Sequence, residues 1–260
     1  TFTGMLLRSI TSASSQRAYI RLDSATAGTK RIEPTHGGIS AMTLVTQATN
    51  PSHPVRIRVA NSSDANQLAK IHQLCSSHQP GSFMHHLGVA FFKQYYRILL
   101  REPTSVILCA EDPVDGIVGI AAGTIDAQAE SNALHAGRYR LLLGSLPKLV
   151  WAPWLIKEVY KRKKMMRVID QMCPAACGRA RFSFWGYLPN HPSKGMAIRL
   201  LKTFLNVIED LGYDSVWFEN DTININVQKI NMMLGAEIVS TCPMGDGRII
   251  YQYGEKLHML

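Results

Sequence analysis

The run Trp185-Gly-Tyr-Leu-Pro-Asn-His-Pro-Ser-Lys-Gly-Met-Ala-Ile198 constrains the fold more than any other segment. An extended aromatic stretch ends at Pro189, a loop carries Ser193, Lys194 and Gly195, and a helix begins at once. A strand that passes straight into a helix belongs to an α/β layer arrangement. The helix is clearly marked: Ala197, Leu200, Leu201, Phe204, Ile208 and Leu211 fall on one face, and Gly212 stops it. The first turn of such a helix offers unpaired N–H donors and the positive end of the macrodipole. Gly195 permits close backbone approach and Lys194 adds a mobile cation, so the segment is a candidate pyrophosphate site. The bare pattern is common in α/β chains, and its surroundings decide what it means.

Those surroundings are regular from Val55 onward. Val55–Ala60 alternates like a half-buried strand. Ser62-Ser63-Asp64 reads as a helix cap ahead of Leu68, Ile71, Leu74 and Cys75, and a second helix runs from Leu87 to Arg101. Ser105–Glu111 and Gly116–Ile125 form a hairpin across the turn signals Asp112-Pro113 and Asp115-Gly116. After an insertion at 134–171 come a strand near Arg181–Leu188, the helix from Gly195, and a strand over Asp214–Glu219. A short helix capped by Asn224 and ending at Gly235 follows, then strands near Glu237 and Arg248–Tyr253. The order predicts a mixed α/β fold around one sheet.

Residues 1–54 differ. They are rich in Ser, Thr, Ala and Gly, carry Arg8, Arg17, Arg21, Lys30 and Arg31 against Asp23 and Glu33, and hold no hydrophobic period. An Arg- and Ser-rich, acid-poor start fits an organelle transit peptide. The plainer reading, a translated leader or poorly ordered extension, is preferred because the chain begins without Met and Met42 lies just ahead of the first regular pattern. Residues 55–260 are expected to be the working domain. Their five-cysteine count gives no even disulfide ladder, which points to a reducing compartment, the cytoplasm. A net charge of +9 favours an anionic contact.

With that order in place, the chain resembles the GNAT superfamily of N-acetyltransferases over about Val55–Tyr253. The family's phosphate-loop signature maps onto Pro192-Ser193-Lys194-Gly195-Met196-Ala197, with Pro189 ending the strand before it, and Gly116-Ile-Val-Gly-Ile120 looks like its third strand. Glu219, Asn224 and Gly235 fit the spacing of its second half. The resemblance implies a central mixed, mostly antiparallel sheet flanked by helices, with acetyl-CoA or another acyl-CoA as cofactor and an amine as acceptor. Backbone groups of Trp185, Gly186 and Tyr187 would hold the acyl carbonyl and pantetheine, N–H groups of Ser193–Ala197 the pyrophosphate, and Asn224 and Asn231 would complete the cofactor site. Glu219 is the expected general base, with Tyr187 a second polar group. Two positions depart from the pattern: Pro192 replaces Arg or Gln, and Asn231 stands where a proton-donating Tyr is usual. Asparagine can donate a hydrogen bond but cannot act as an acid. A catalytically silent acyl-CoA sensor and a longer-chain acyltransferase at a membrane surface are the rival readings.

Other residues read as structural. His85-His86 is expected to be a polar loop pair, Glu111 a solvated strand end, and Tyr95 and Tyr96 core or rim; Cys173 and Cys177 lack partners for a zinc site, so no metal is expected. The insertion holds nine cations against Glu158 and Asp170, together with Trp151 and Trp154, in helical pieces broken at Pro147 and Pro153. It fits a solvated lid, a grip on an anionic acceptor, or an interfacial membrane contact. Nucleic acid is not an expected partner, because no stacking motif accompanies the charge.

Overall fold

The computed structural model describes residues 54–79, 84–160, 180–193, 195–243 and 249–257, which build a seven-stranded sheet and its flanking helices. In chain order the elements are β1 (Arg56–Val59), α1 (Ala65–Ser77), α2 (Val89–Leu99), β2 (Ser105–Asp112), β3 (Gly116–Thr124), α3 (Ala127–Ala136) and α4 (Arg138–Trp151). Then follow β4 (Arg181–Tyr187), α5 (Gly195–Asp210), β5 (Ser215–Asp221), α6 (Ile225–Met233), β6 (Glu237–Pro243) and β7 (Ile249–Lys256). The strands lie in the order β1-β2-β3-β4-β5-β7-β6, antiparallel throughout except where β4 meets β5. The mixed, mostly antiparallel sheet is the one the sequence implied.

One face of the sheet is covered by α1 and α2, whose Leu68, Phe92, Tyr96 and Leu99 pack on Cys109 and Ile120. The other is covered by α5, whose Leu200, Phe204 and Ile208 pack on Leu108, Val118 and Ala121. His72 is buried in the first core, stacked between Phe92 at 4.0 Å and Phe184 at 3.5 Å, with Nδ1 2.7 Å from the Tyr96 hydroxyl. Burial lowers its pKa to about 3, so the ring is neutral.

A β-bulge sits in β4. Ala122 pairs with Phe184 and Gly123 with Phe182, so Ser183 has no residue opposite. The extra residue changes which face each side chain serves. Phe182 packs on Phe204 of α5, whereas Ser183 faces Glu130 of α3 and Phe184 faces His72 of α1. Beyond the bulge the Trp185 indole returns to α5, donating to the Ala197 carbonyl at 3.0 Å.

Several local expectations shift. The first cap is Asn61, whose side chain accepts from the Ser63 N–H while Asp64 accepts from the Asn61 N–H; this capping box leads through a 3-10 turn into α1. The strand-ending signal Pro189 lies beyond β4, which stops at Tyr187. The insertion is not broken at Pro147. That residue lies inside α4 on its exposed side, where water can serve the carbonyl a proline leaves unpaired, and the break comes at Ala152–Pro153 before a further helical stretch over 154–160. Glu111 is not merely solvated: Arg58 binds it at 2.7 Å and also binds Asp64 at 2.7 Å. Residues 1–53, Lys161–Arg167, Asp170, Cys173 and Cys177 lie outside the described residues.

Candidate active site

The site begins where β4 and β5 part. They run parallel and register only at Arg181 and Trp217, with the Trp217 N–H donating to the Ala180 carbonyl at 3.2 Å. On its other edge β4 stays paired with β3 as far as Tyr187, and β5 stays paired with β7 as far as Asp221. The sheet is thus split from inside, between two strands each held on the outside. The split leaves strand-edge N–H and C=O groups facing a gap, and an extended, amide-bearing ligand arm is the kind of group that satisfies such an edge.

The loop leaving β4 is built to reach the α5 N-terminus. The Leu188 N–H donates to the Val118 carbonyl at 2.9 Å, and the His191 N–H to the Leu188 carbonyl at 3.2 Å. His191 is buried, with Nδ1 3.2 Å from the Tyr187 hydroxyl and Nε2 3.6 Å and 3.7 Å from carboxylate oxygens of Asp112 and Asp115 at the β2–β3 turn. The loop is therefore tied to the hairpin beneath it. At the start of α5 a Cβ on Gly195 would meet nothing within 4 Å, so the first turn opens on free space. Open space over a helix N-terminus fits a pyrophosphate. Lys194 lies outside the described residues.

The expected residues fall on four elements. Trp185, Gly186 and Tyr187 edge the split, Ser193, Gly195, Met196 and Ala197 form the loop and first turn, and Glu219 lies on β5 two residues past the last rung. Side chains of Trp185 and Tyr187 pack toward α5, which leaves their backbone as the part available at the gap. Burial, reinforced by Asp112, raises the Tyr187 pKa. Asn224 stands at the start of α6 but its side chain caps no helix N–H. Asn231 is buried in α6, and among the described residues its Nδ2 has no hydrogen-bond partner. An orphaned buried donor suits a cofactor that would supply the missing acceptor.

Glu219 accepts from Gln252 Nε2 at 3.3 Å and contributes to the field around Arg181. Arg181 lies over the Trp217 ring at 5.6 Å and donates to Glu130 at 2.9 Å. Burial pulls the Arg181 pKa down, but Glu130, Tyr95 and Glu219 outweigh it and the net shift is upward. Glu130 is fully buried and also receives the Ser183 hydroxyl. Arg181, Glu130, Ser183 and His191 were not singled out from the sequence. The Asp126 cap of α3 was the one local signal near Glu130, and nothing local paired it with β4. His85 and His86 form a ring pair in the turn before α2, with His86 edge-on to Trp154, and Tyr96 is core as expected.

No family model matches this sequence, and no curated protein matches it either. Solved structures do. SsHAT is similar over 80% of this chain and 99% of its own, with 16% identity and a TM-score of 0.56. A GNAT-family protein from Desulfovibrio desulfuricans is similar over 78% of this chain and 99% of its own, with 11% identity and a TM-score of 0.49. A chimeric spermidine N-acetyltransferase SpeG from Vibrio cholerae shows 8% identity over 79% of this chain and 96% of its own, with a TM-score of 0.49. The chain shares the fold of SsHAT over 80% of its length, with its mixed sheet parted between β4 and β5.

Proposed function

We propose that the protein is an N-acyltransferase that moves acetyl from acetyl-CoA to a primary amine. The observation that carries this reading is the split between β4 and β5 lying directly ahead of an open helix N-terminus at Gly195. Bound acetyl-CoA would supply an activated thioester. The backbone from Trp185 to Tyr187 would align the pantetheine arm, N–H groups of the first turn of α5 would hold the pyrophosphate, and Asn231 Nδ2 would donate to the arm or its sulfur. Glu219 would take the proton that the acceptor amine must lose, directly or through water, and Gln252 orients its carboxylate. Arg181, which feels the charges of Glu130 and Glu219, stands as a cation near the candidate base. The net charge of +9 on the chain favours an acceptor that is anionic outside its amine.

Calorimetric titration with acetyl-CoA, CoA and a long-chain acyl-CoA tests the reading. Micromolar binding of acetyl-CoA supports it, and preference for the long chain would move the donor to a longer acyl group. Absence of binding to all three overturns it. Because Asn231 cannot protonate a thiolate, acetyl-CoA binding without turnover on any amine would identify a sensor rather than an enzyme.

A further inference from the structure

Helix α4 turns its small face inward and its large apolar face outward. Gly144 closes on α2 so tightly that a Cβ there would lie 2.8 Å from the Ala90 carbonyl oxygen. On the opposite side Tyr139, Leu143, Leu146 and Val150 recur at the spacing of one helical stripe, all exposed, Val150 by 73%. Trp151, the last residue of α4 and 87% exposed, and Trp154 beyond it extend this apolar surface. A contiguous surface of this kind marks a binding face rather than scattered exposed side chains.

Cations stand beside it. Arg97, Arg101 and Arg140 line a cavity of about 540 Å³ that extends to Leu143 of the stripe, and no acidic side chain lines it. Among the described residues none of these three guanidiniums makes an ion pair. Arg138 flanks the other side, its guanidinium over the Tyr139 ring at 4.6 Å. No helix among the described residues is long and apolar enough to cross a membrane.

We infer that this face seats the protein on an anionic lipid bilayer. The α4 stripe and Trp151 and Trp154 enter the boundary between headgroups and acyl chains, where amphipathic aromatic rings are favoured. Arg97, Arg101 and Arg140 take lipid phosphates at the rim, drawn by the negative surface of the leaflet. A second copy of the chain fits the same face less well. A two-fold contact along α4 would bring the arginine flanks of both copies to the joint with no acids in the cavity to offset them.

Flotation of the full chain with vesicles tests this, using phosphatidylcholine alone and phosphatidylcholine equimolar with phosphatidylglycerol. The chain should float only with the mixed vesicles, and raised salt should release it. Its tryptophan emission should shift to the blue, because Trp151 and Trp154 are two of the 4 tryptophans. The pair Val150→Ser and Trp151→Ser should abolish flotation with acetyl-CoA affinity unchanged. The pair Arg97→Glu and Arg140→Glu should weaken it by about tenfold or more. No flotation with mixed vesicles overturns the inference, as does equal flotation by the variants. So does light scattering that shows a dimer dissociated by the serine pair, without vesicle binding.

Discussion

Along β3, strand β4 is laddered from Arg181 to Tyr187; along β5 it is held at Arg181 and then released. The closed edge owes its fit to small residues on β3. A Cβ on Gly119 would run into the Tyr187 ring, and one on Gly123 into the Arg181 carbonyl. The open edge has a single rung to β5, at Arg181, and Glu219 lies on β5 beyond that rung. Unpaired backbone is tolerated only where water or a ligand can serve it. The contrast separates two duties on one strand, with stability resting on the β3 seam and, under the proposed function, chemistry on the β5 gap.

That separation can be broken from either side. Gly195→Asp should act on the gap alone. A carboxylate about 4 Å from a pyrophosphate charge costs about 4 kcal/mol, roughly a thousandfold in Kd, with an unchanged melting temperature. Calorimetric titration beside a thermal melt checks both halves, and retained affinity would remove the pyrophosphate from this loop. Gly123→Ala should act on the seam alone, lowering stability by about 3 kcal/mol through overpacking against a backbone carbonyl. Urea unfolding measures that, and cofactor affinity of the folded fraction should hold.

Glu219→Gln should reduce turnover by about a hundredfold and leave acetyl-CoA affinity nearly as it was. A variant that turns over at the parent rate would place the base elsewhere. The smallest effect lies in the closed region, at His72. Its pKa falls from 6.5 to about 3 on burial, so between those values the unfolded chain binds the extra proton. Its contribution is complete above pH 6.5 and is lost as pH falls, by about 1.4 kcal/mol per pH unit. Urea midpoints measured from neutral to mildly acid pH should show that slope, and His72→Phe should flatten it.

The elements were legible in the sequence because their signals are local. The α5 stripe, the hairpin turn and Gly212 and Gly235 after their helices are periodicities and stops within a few residues. The helix start at Gly195 was legible for the same reason, since the change from strand to helix is local. What depends on register was not. Arg181 and Glu130 meet across 51 residues, and Ser183 is an extra residue only relative to β3. Pro147 misled because a proline's effect depends on which side of a helix it occupies. The aromatic and basic content of the insertion was readable, but not that α4 would present its large side chains away from α2.

The bulge at Ser183 makes β4 a strand with two phases. Up to and including it, Arg181 and Ser183 answer to α3; downstream Trp185 and Tyr187 answer to α5. One surplus residue works as a clutch between them, so substitutions at the upstream end need not propagate to the loop that follows. A deletion of one residue within 182–184 would re-engage the two halves and turn one set of side chains to the wrong layer.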